Sequence, residues 1–145
     1  MTDGAYSLLL PGVDDTTRPY WDALRRHELA LQACAECGEL RHPPRSVCAA
    51  CGSEQIVWRA LAARATLYSF VVVHRPTLPQ WRAAGPYNVA LVALDDAPHL
   101  RLHGNIVEVD SAQLRIGMPL EAVFDDVTSD DTILRWRPAT GHQPD

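Results

Sequence analysis

The chain has 145 residues, 47% of them hydrophobic, which is enough for one modest core plus a small stapled module. Its net charge of −5 and pI near 5.6 argue against a general nucleic-acid binder, which would present a basic face. All thirteen basic residues are arginine, and no apolar run approaches the roughly twenty residues of a membrane span.

Residues 1 to about 15 carry no sustained hydrophobic period and read as an arm, ordered by a partner if at all. The start lacks the basic region of a signal peptide, so a cytoplasmic protein is expected. Thr16-Thr17-Arg18-Pro19 predicts a helix start, with a hydroxyl cap and proline in the first turn. Tyr20, Trp21, Leu24 and Glu28 follow at helical spacing, and the helix is expected to end near residues 27–29, with His27 a helix-end histidine.

The four cysteines are the most informative feature. Cys34-Ala-Glu-Cys37-Gly and Cys48-Ala-Ala-Cys51-Gly form two Cys-x-x-Cys-Gly knuckles. Two residues between thiolates let one tight turn aim both sulfurs at one metal, and two such turns complete a tetrahedral S4 shell for zinc. Each following glycine suits a turn that needs positive φ. Cysteines in a chain that is not exported favour metal over disulfides. The metal ligands are therefore Cys34, Cys37, Cys48 and Cys51, in a closed structural site; a redox pair would not explain the duplication. Between the knuckles, Arg41-His42-Pro43-Pro44-Arg45 reads as a rigid exposed loop or edge, and Ile56-Val57-Trp58 as the ribbon's exit strand.

From Ala62 the pattern becomes β. Residues 65–73 predict a long strand, and His74 to Pro86, with its prolines and Trp81, a long loop. Residues 88–94 and 99–109 predict two more strands, with Gly104 marking a bulge or bend in the second. Asp110 to Leu114 reads as a single helical turn. Residues 120–124 and 132–137 complete five strands around an acidic hairpin tip at 125–131. Five strands with one long bent member and a short helix before the fourth fit an OB-type Greek-key barrel; strand count alone also admits an SH3-like barrel. Trp58 is expected at the junction of ribbon and barrel, and Trp136 at the barrel edge. His99 and His103 lie on one strand, too far apart for a metal site. The fold class is mainly β: an N-terminal helix, a zinc ribbon, then a five-stranded barrel. The expected divisions are 1–30 for arm and helix, 31–60 for the ribbon, 61–138 for the barrel and 139–145 for a tail.

The ordered combination is more specific than any single motif. Tyr20-Trp21-Asp22-Ala23-Leu24, Leu31-Gln32-Ala33-Cys34, Pro43-Pro44-Arg45, Val73-His74-Arg75-Pro76, Gly85-Pro86-Tyr87-Asn88 and Ile116-Gly117-Met118-Pro119-Leu120 together resemble the DUF35 family. The resemblance covers residues 18 to 138 and implies a rubredoxin-like zinc ribbon joined to an OB-fold. One departure is Ala63-Arg64-Ala65, where the family often has glycine, which puts a bulge at the barrel's start in question.

The resemblance further implies association with acyl-CoA enzymes. Members assemble with thiolase-like enzymes and sometimes with hot-dog-fold hydratases. In steroid side-chain degradation, such a chain pairs with a lipid-transfer-protein thiolase homologue as a retro-aldolase. The expected function is therefore an accessory subunit, in a hetero-oligomer that cleaves a steroid β-hydroxyacyl-CoA and releases propionyl-CoA, with no nucleic-acid or membrane partner. The alternatives are a partner of a hot-dog-fold enoyl-CoA hydratase and an OB-fold binder of single-stranded nucleic acid. Acyl-CoA would be a ligand of the complex; His74, Arg75, Trp81 and Arg82, at the end of the longest strand and in the loop after it, either line its channel or form a solvated loop with one aromatic folded over the barrel end. Tyr20, Trp21, Arg41 and Arg45 are the expected partner contacts. No catalytic residue is assigned, because every cysteine is spent on metal and no nucleophile–base arrangement is evident.

Overall fold

The computed structural model describes residues 6 and 8–141. Helix α1 spans Arg18–Arg25, earlier in its ending than expected. The Thr17 hydroxyl does not cap it. Instead the Thr17 amide and hydroxyl both donate to the Asp14 carboxylate, at 2.8 Å each, and the turn they close feeds the chain into the helix. Pro19 fits the first turn, where no intrahelical amide bond is lost.

A three-stranded sheet follows, ordered β2-β1-β3, from β1 (Leu29–Cys34), β2 (Leu40–Arg41) and β3 (Ile56–Leu61). Central strand β1 is buried along its whole length. β2 makes an edge of part of the segment between the knuckles.

The second sheet holds β4 (Arg64–Val73), β5 (Tyr87–Leu94), β6 (Ala97–Gly104), β7 (Pro119–Asp126) and β8 (Thr132–Pro138), in the order β6-β5-β4-β7-β8. Ile106 bridges Trp136 in parallel and brings the two ends of the sheet together. The first barrel strand thus lies between the second and the fourth, and the third meets the fifth. That is the Greek-key arrangement of an OB barrel, and it resolves the choice the strand count left open. Alternation on β5 sends Asn88, Ala90, Val92 and Leu94 inward.

Four local expectations change. The proline-rich loop contains helix α2 (Pro79–Ala84), a single short run opened by proline and ended at Gly85. The third barrel strand stops at Gly104 rather than continuing to Val109. Gly104 marks a close approach: a Cβ there would stand 3.0 Å from the Trp136 ring. Trp136 is fully buried, so it is a core residue and not a rim residue. The bulge in β4 falls at Tyr68, between Leu67 and Ser69, and the strand's opening at Ala65–Thr66 pairs regularly on both sides.

Asp110 caps a 3-10 turn at Ser111–Gln113, accepting from the Ala112 amide at 2.8 Å. Beyond β8, Ala139 still donates to the Pro119 carbonyl at 3.0 Å; the rest of the expected tail, 142–145, lies outside the described residues. One apolar cluster runs through the molecule, from Tyr20 and Leu24 on α1, through Leu29 and Leu31 on β1, to Leu67 and Trp136 in the barrel. Among the described residues no helix is long and apolar enough to cross a membrane.

Candidate functional site: the four-cysteine centre and the surfaces around it

The two knuckles are near copies in their backbone. Gly38 N–H donates to the Cys34 carbonyl at 2.9 Å, and Gly52 N–H to that of Cys48 at 2.8 Å. Both glycines have φ near +75°, at +76° and +75°, a conformation that costs other residues about a kilocalorie or more per mole. The turns bring all four Sγ atoms within 4.8 Å of one another. Cys34 lies 3.6 Å from Cys51 and Cys37 lies 3.7 Å from Cys48. Sulfurs about 2.3 Å from one zinc at tetrahedral angles stand about 3.8 Å apart, so the set fits that ion.

The electrostatics agree with the geometry. The Cys37 backbone N–H, aimed at Cys34, pulls that thiol down to about 6. The Cys51 N–H lowers Cys48 in the same way. Cys51 behaves oppositely: the Ser53 N–H favours its thiolate, but the Cys34 sulfur, burial and the other two sulfurs push it up to about 12. Four thiols this close resist losing all their protons unless a cation shares the charge. The S4 set leaves no open coordination position, so the chemistry a zinc ion supplies here is a staple between β1, β2 and the second knuckle.

The segment between the knuckles is tied to the ribbon. Gln32, a buried polar residue in the apolar run of β1, accepts from Arg41 Nε and, at 2.9 Å, from the Arg45 amide. Arg41 is therefore partly committed within the chain, while the Arg45 side chain is exposed. Tyr20 is 8% exposed and packs against Trp21 and His42, with ring centroids 5.1 Å apart in both pairs. Of the two aromatics expected to meet a partner, Trp21 is the one with surface to offer.

At the far end of β4, His74 and Arg75 are exposed. Trp81 packs on Tyr87 at 4.5 Å, which fastens α2 to the start of β5. Arg82 donates to the carbonyls of Pro76 and Thr77, at 3.3 and 2.9 Å. It closes the loop on itself, leaving Arg75 as the freer cation of the pair.

Residues 21–57 match the family model "ChsH2, rubredoxin-like zinc ribbon domain", and residues 58–125 match "ChsH2, C-terminal OB-fold domain". A solved structure, "Ltp2-ChsH2(DUF35) aldolase", superposes with a TM-score of 0.81 at 32% identity, covering 90% of this chain and 100% of that one. The chain belongs to the DUF35 family, in its ChsH2 branch.

Two curated relatives are named as hydratase subunits. The "3-oxo-4,17-pregnadiene-20-carboxyl-CoA hydratase alpha subunit" of Mycobacterium tuberculosis is 33% identical over 91% of this chain. The "Probable enoyl-CoA hydratase alpha subunit" of Thermomonospora curvata is 34% identical over 89%. The chain spans 40% and 39% of their lengths. A DUF35 scaffold protein of Methanothermobacter thermautotrophicus is 27% identical over 76% of this chain.

In this DUF35 chain, the contacts that join α1 to the barrel were invisible to local patterning. His27 pairs with Asp126 at 2.9 Å and stacks on Phe124, with centroids 5.4 Å apart and planes 8° from parallel. Arg25 reaches Asp130 at 3.9 Å. The residues lie about a hundred positions apart, and only the fold brings them together. Gln32 could have been found: a glutamine inside an otherwise apolar strand needs a buried partner.

Proposed function

We infer that this chain is the accessory subunit of a hetero-oligomeric acyl-CoA enzyme, paired with a thiolase-like catalytic chain of the lipid-transfer-protein type. The observation that carries this reading is the superposition on ChsH2(DUF35) across that chain's full length, in a structure whose name joins it to Ltp2 as an aldolase. The reaction it supports is retro-aldol cleavage of a steroid β-hydroxyacyl-CoA, releasing propionyl-CoA and a ketosteroid, with acyl-CoA bound by the complex.

The chain's own residues suit a supporting role. Its cysteines form a closed metal centre, so none is available as a thiolase-type nucleophile. The zinc ribbon and α1 form a rigid platform through the shared core. Trp81 would flank the CoA channel and Trp21 would meet the catalytic chain. The acid and base of the carbon–carbon cleavage belong to that chain.

The names of the two hydratase subunits favour a second reading, a hot-dog-fold hydratase partner. The chain matches well under half of those proteins, whereas it matches the aldolase component end to end, and this ranks the aldolase first.

Coexpression with a thiolase-like chain and, separately, with a hot-dog-fold hydratase from the same genome decides between them. Stable co-elution with the thiolase-like chain alone is expected. Co-elution with the hydratase alone would overturn the reading in favour of the second.

A further inference from the structure

Among the described residues, part of β4 presents an open edge of the barrel sheet. On the side away from β5, β4 pairs with β7 across Arg64–Thr66. Leu67 extends that ladder by two bonds, donating to Met118 and accepting from Gly117, at 2.9 and 2.8 Å. Past Leu67, among the described residues, no strand or loop backbone pairs with that side of Tyr68–Val73.

The open stretch reads Ser69-Phe70-Val71-Val72-Val73, all high in β propensity except the serine, with no charge and no proline. Natural edges are normally guarded by a charge, a proline or a covering element. Here the exposed apolar side chains gather beside it: Val71 is 60% exposed, Tyr68 53% and Ile116, next to the closing Gly117, 62%.

Charge distinguishes the same region. In a chain with 18 acidic residues, none lies between Ala65 and Leu94. The ion pairs among the described residues lie on α1 and its lead-in, on the β7–β8 hairpin and at Glu108. Arg75, just beyond the end of β4, and Arg115, next to Ile116, have no carboxylate partner among the described residues; Arg115 donates only to the carbonyls of Ala112 and Leu114. The edge is thus an apolar, hydrogen-bond-hungry strand with an arginine beyond each end.

We propose that Ser69–Val73 receives a β-strand from the catalytic chain, adding it to the barrel sheet by edge pairing, with carboxylates flanking the added strand opposite Arg75 and Arg115. The proposal rests on the thiolase-like partner inferred above and names where that partner binds. Main-chain bonds supply the register, alternate apolar side chains pack on Val71 and Tyr68, and the flanking charges select an acidic segment. A second copy of this chain fits poorly: antiparallel pairing of two identical edges sets the Arg75 end of one beside the Arg115 end of the other, like charge against like.

The test is amide exchange and affinity on the coexpressed complex. The alternate amides of residues 69–73 that point away from β5 should exchange at least tenfold more slowly in the complex than in the free chain, while those bonded to β5 change little. Val71→Lys should weaken association at least tenfold with unchanged zinc content and melting temperature, and Val71→Thr should restore most of it. Arg75→Glu should weaken it and flatten its salt dependence.

A complex that forms while these amides exchange as in the free chain, and that Val71→Lys leaves intact, overturns the edge proposal and leaves the partner assignment standing. A free chain that dimerises, and loses its dimer on Val71→Lys, overturns it in favour of a second copy. Failure of any thiolase-like chain to bind removes the partner assignment, and the edge proposal falls with it.

Discussion

The ribbon and the barrel are both small β units, but they are held together by different means. The ribbon's two knuckles converge on four sulfurs, and its second knuckle contributes just one fully buried side chain, that of Cys48. The barrel closes around apolar residues such as Leu67, Leu102, Leu120 and Trp136. A metal centre is written in a short motif, whereas a packed core is distributed along the chain. The difference also divides their failure modes: the knuckles depend on one ion, the barrel on many contacts.

Removing the ion is the largest expected perturbation. Structural zinc in small modules contributes an apparent ~10–16 kcal/mol at neutral pH. Cys48→Ser, or a strong chelator, should abolish zinc binding and collapse the NMR signals of the knuckles and β1–β3, while barrel amides on β5 and β8 keep their dispersion. Loss of both regions together would show that the shared core, through α1 and β1, makes them one cooperative unit.

Within the barrel, Trp136→Ala should cost about 3–5 kcal/mol in denaturant unfolding and leave zinc content unchanged. Gly104→Ala tests the same contact from the other side. Its new Cβ would meet the indole at 3.0 Å, and the overpacking should cost about 1–3 kcal/mol. A neutral result would mean that the indole shifts freely, contrary to a tightly filled core.

The smallest effect is expected at the seam between α1 and the barrel. Asp126 is held below the usual carboxylate range, first by the Thr132 hydroxyl and then by His27. A carboxyl depressed in the folded state adds stability above its unfolded pKa and loses it as pH falls through the folded one. The melting temperature of wild type should therefore exceed that of Asp126→Asn at pH 6, and the gap should close as pH drops below 3.8. Both side chains are more than half exposed, so the gap should be modest.

The same contrast explains what could be read from residue order. The knuckles were legible because metal ligation is local: spacing and glycine alone specify Cys34, Cys37, Cys48 and Cys51. The barrel strands were legible where apolar residues alternate, as on β5. α2 was hidden because prolines dominate its surroundings and its support, Trp81 on Tyr87 and Arg82 on Pro76 and Thr77, comes from the loop's own folded path. Helical spacing leaves open whether the ribbon or another subunit covers Tyr20 and Trp21; the fold turns Tyr20 inward, against His42. Residue order puts Trp136 on the last strand, which usually forms an edge; here Ile106 pairs beside it and closes the barrel. The open edge at Ser69–Val73 could not be read at all, since strand pairing is decided by residues far away in the chain.

In the proposed function, this chain completes another protein's active enzyme. The most direct measurement titrates the zinc-loaded chain into the purified thiolase-like partner and follows propionyl-CoA release from a steroid 17-hydroxy side-chain CoA thioester. The account predicts negligible release from either protein alone and activity that rises with added chain to saturation at a fixed ratio. Full activity of the partner alone, or no release at any ratio from a complex that demonstrably forms, would contradict it.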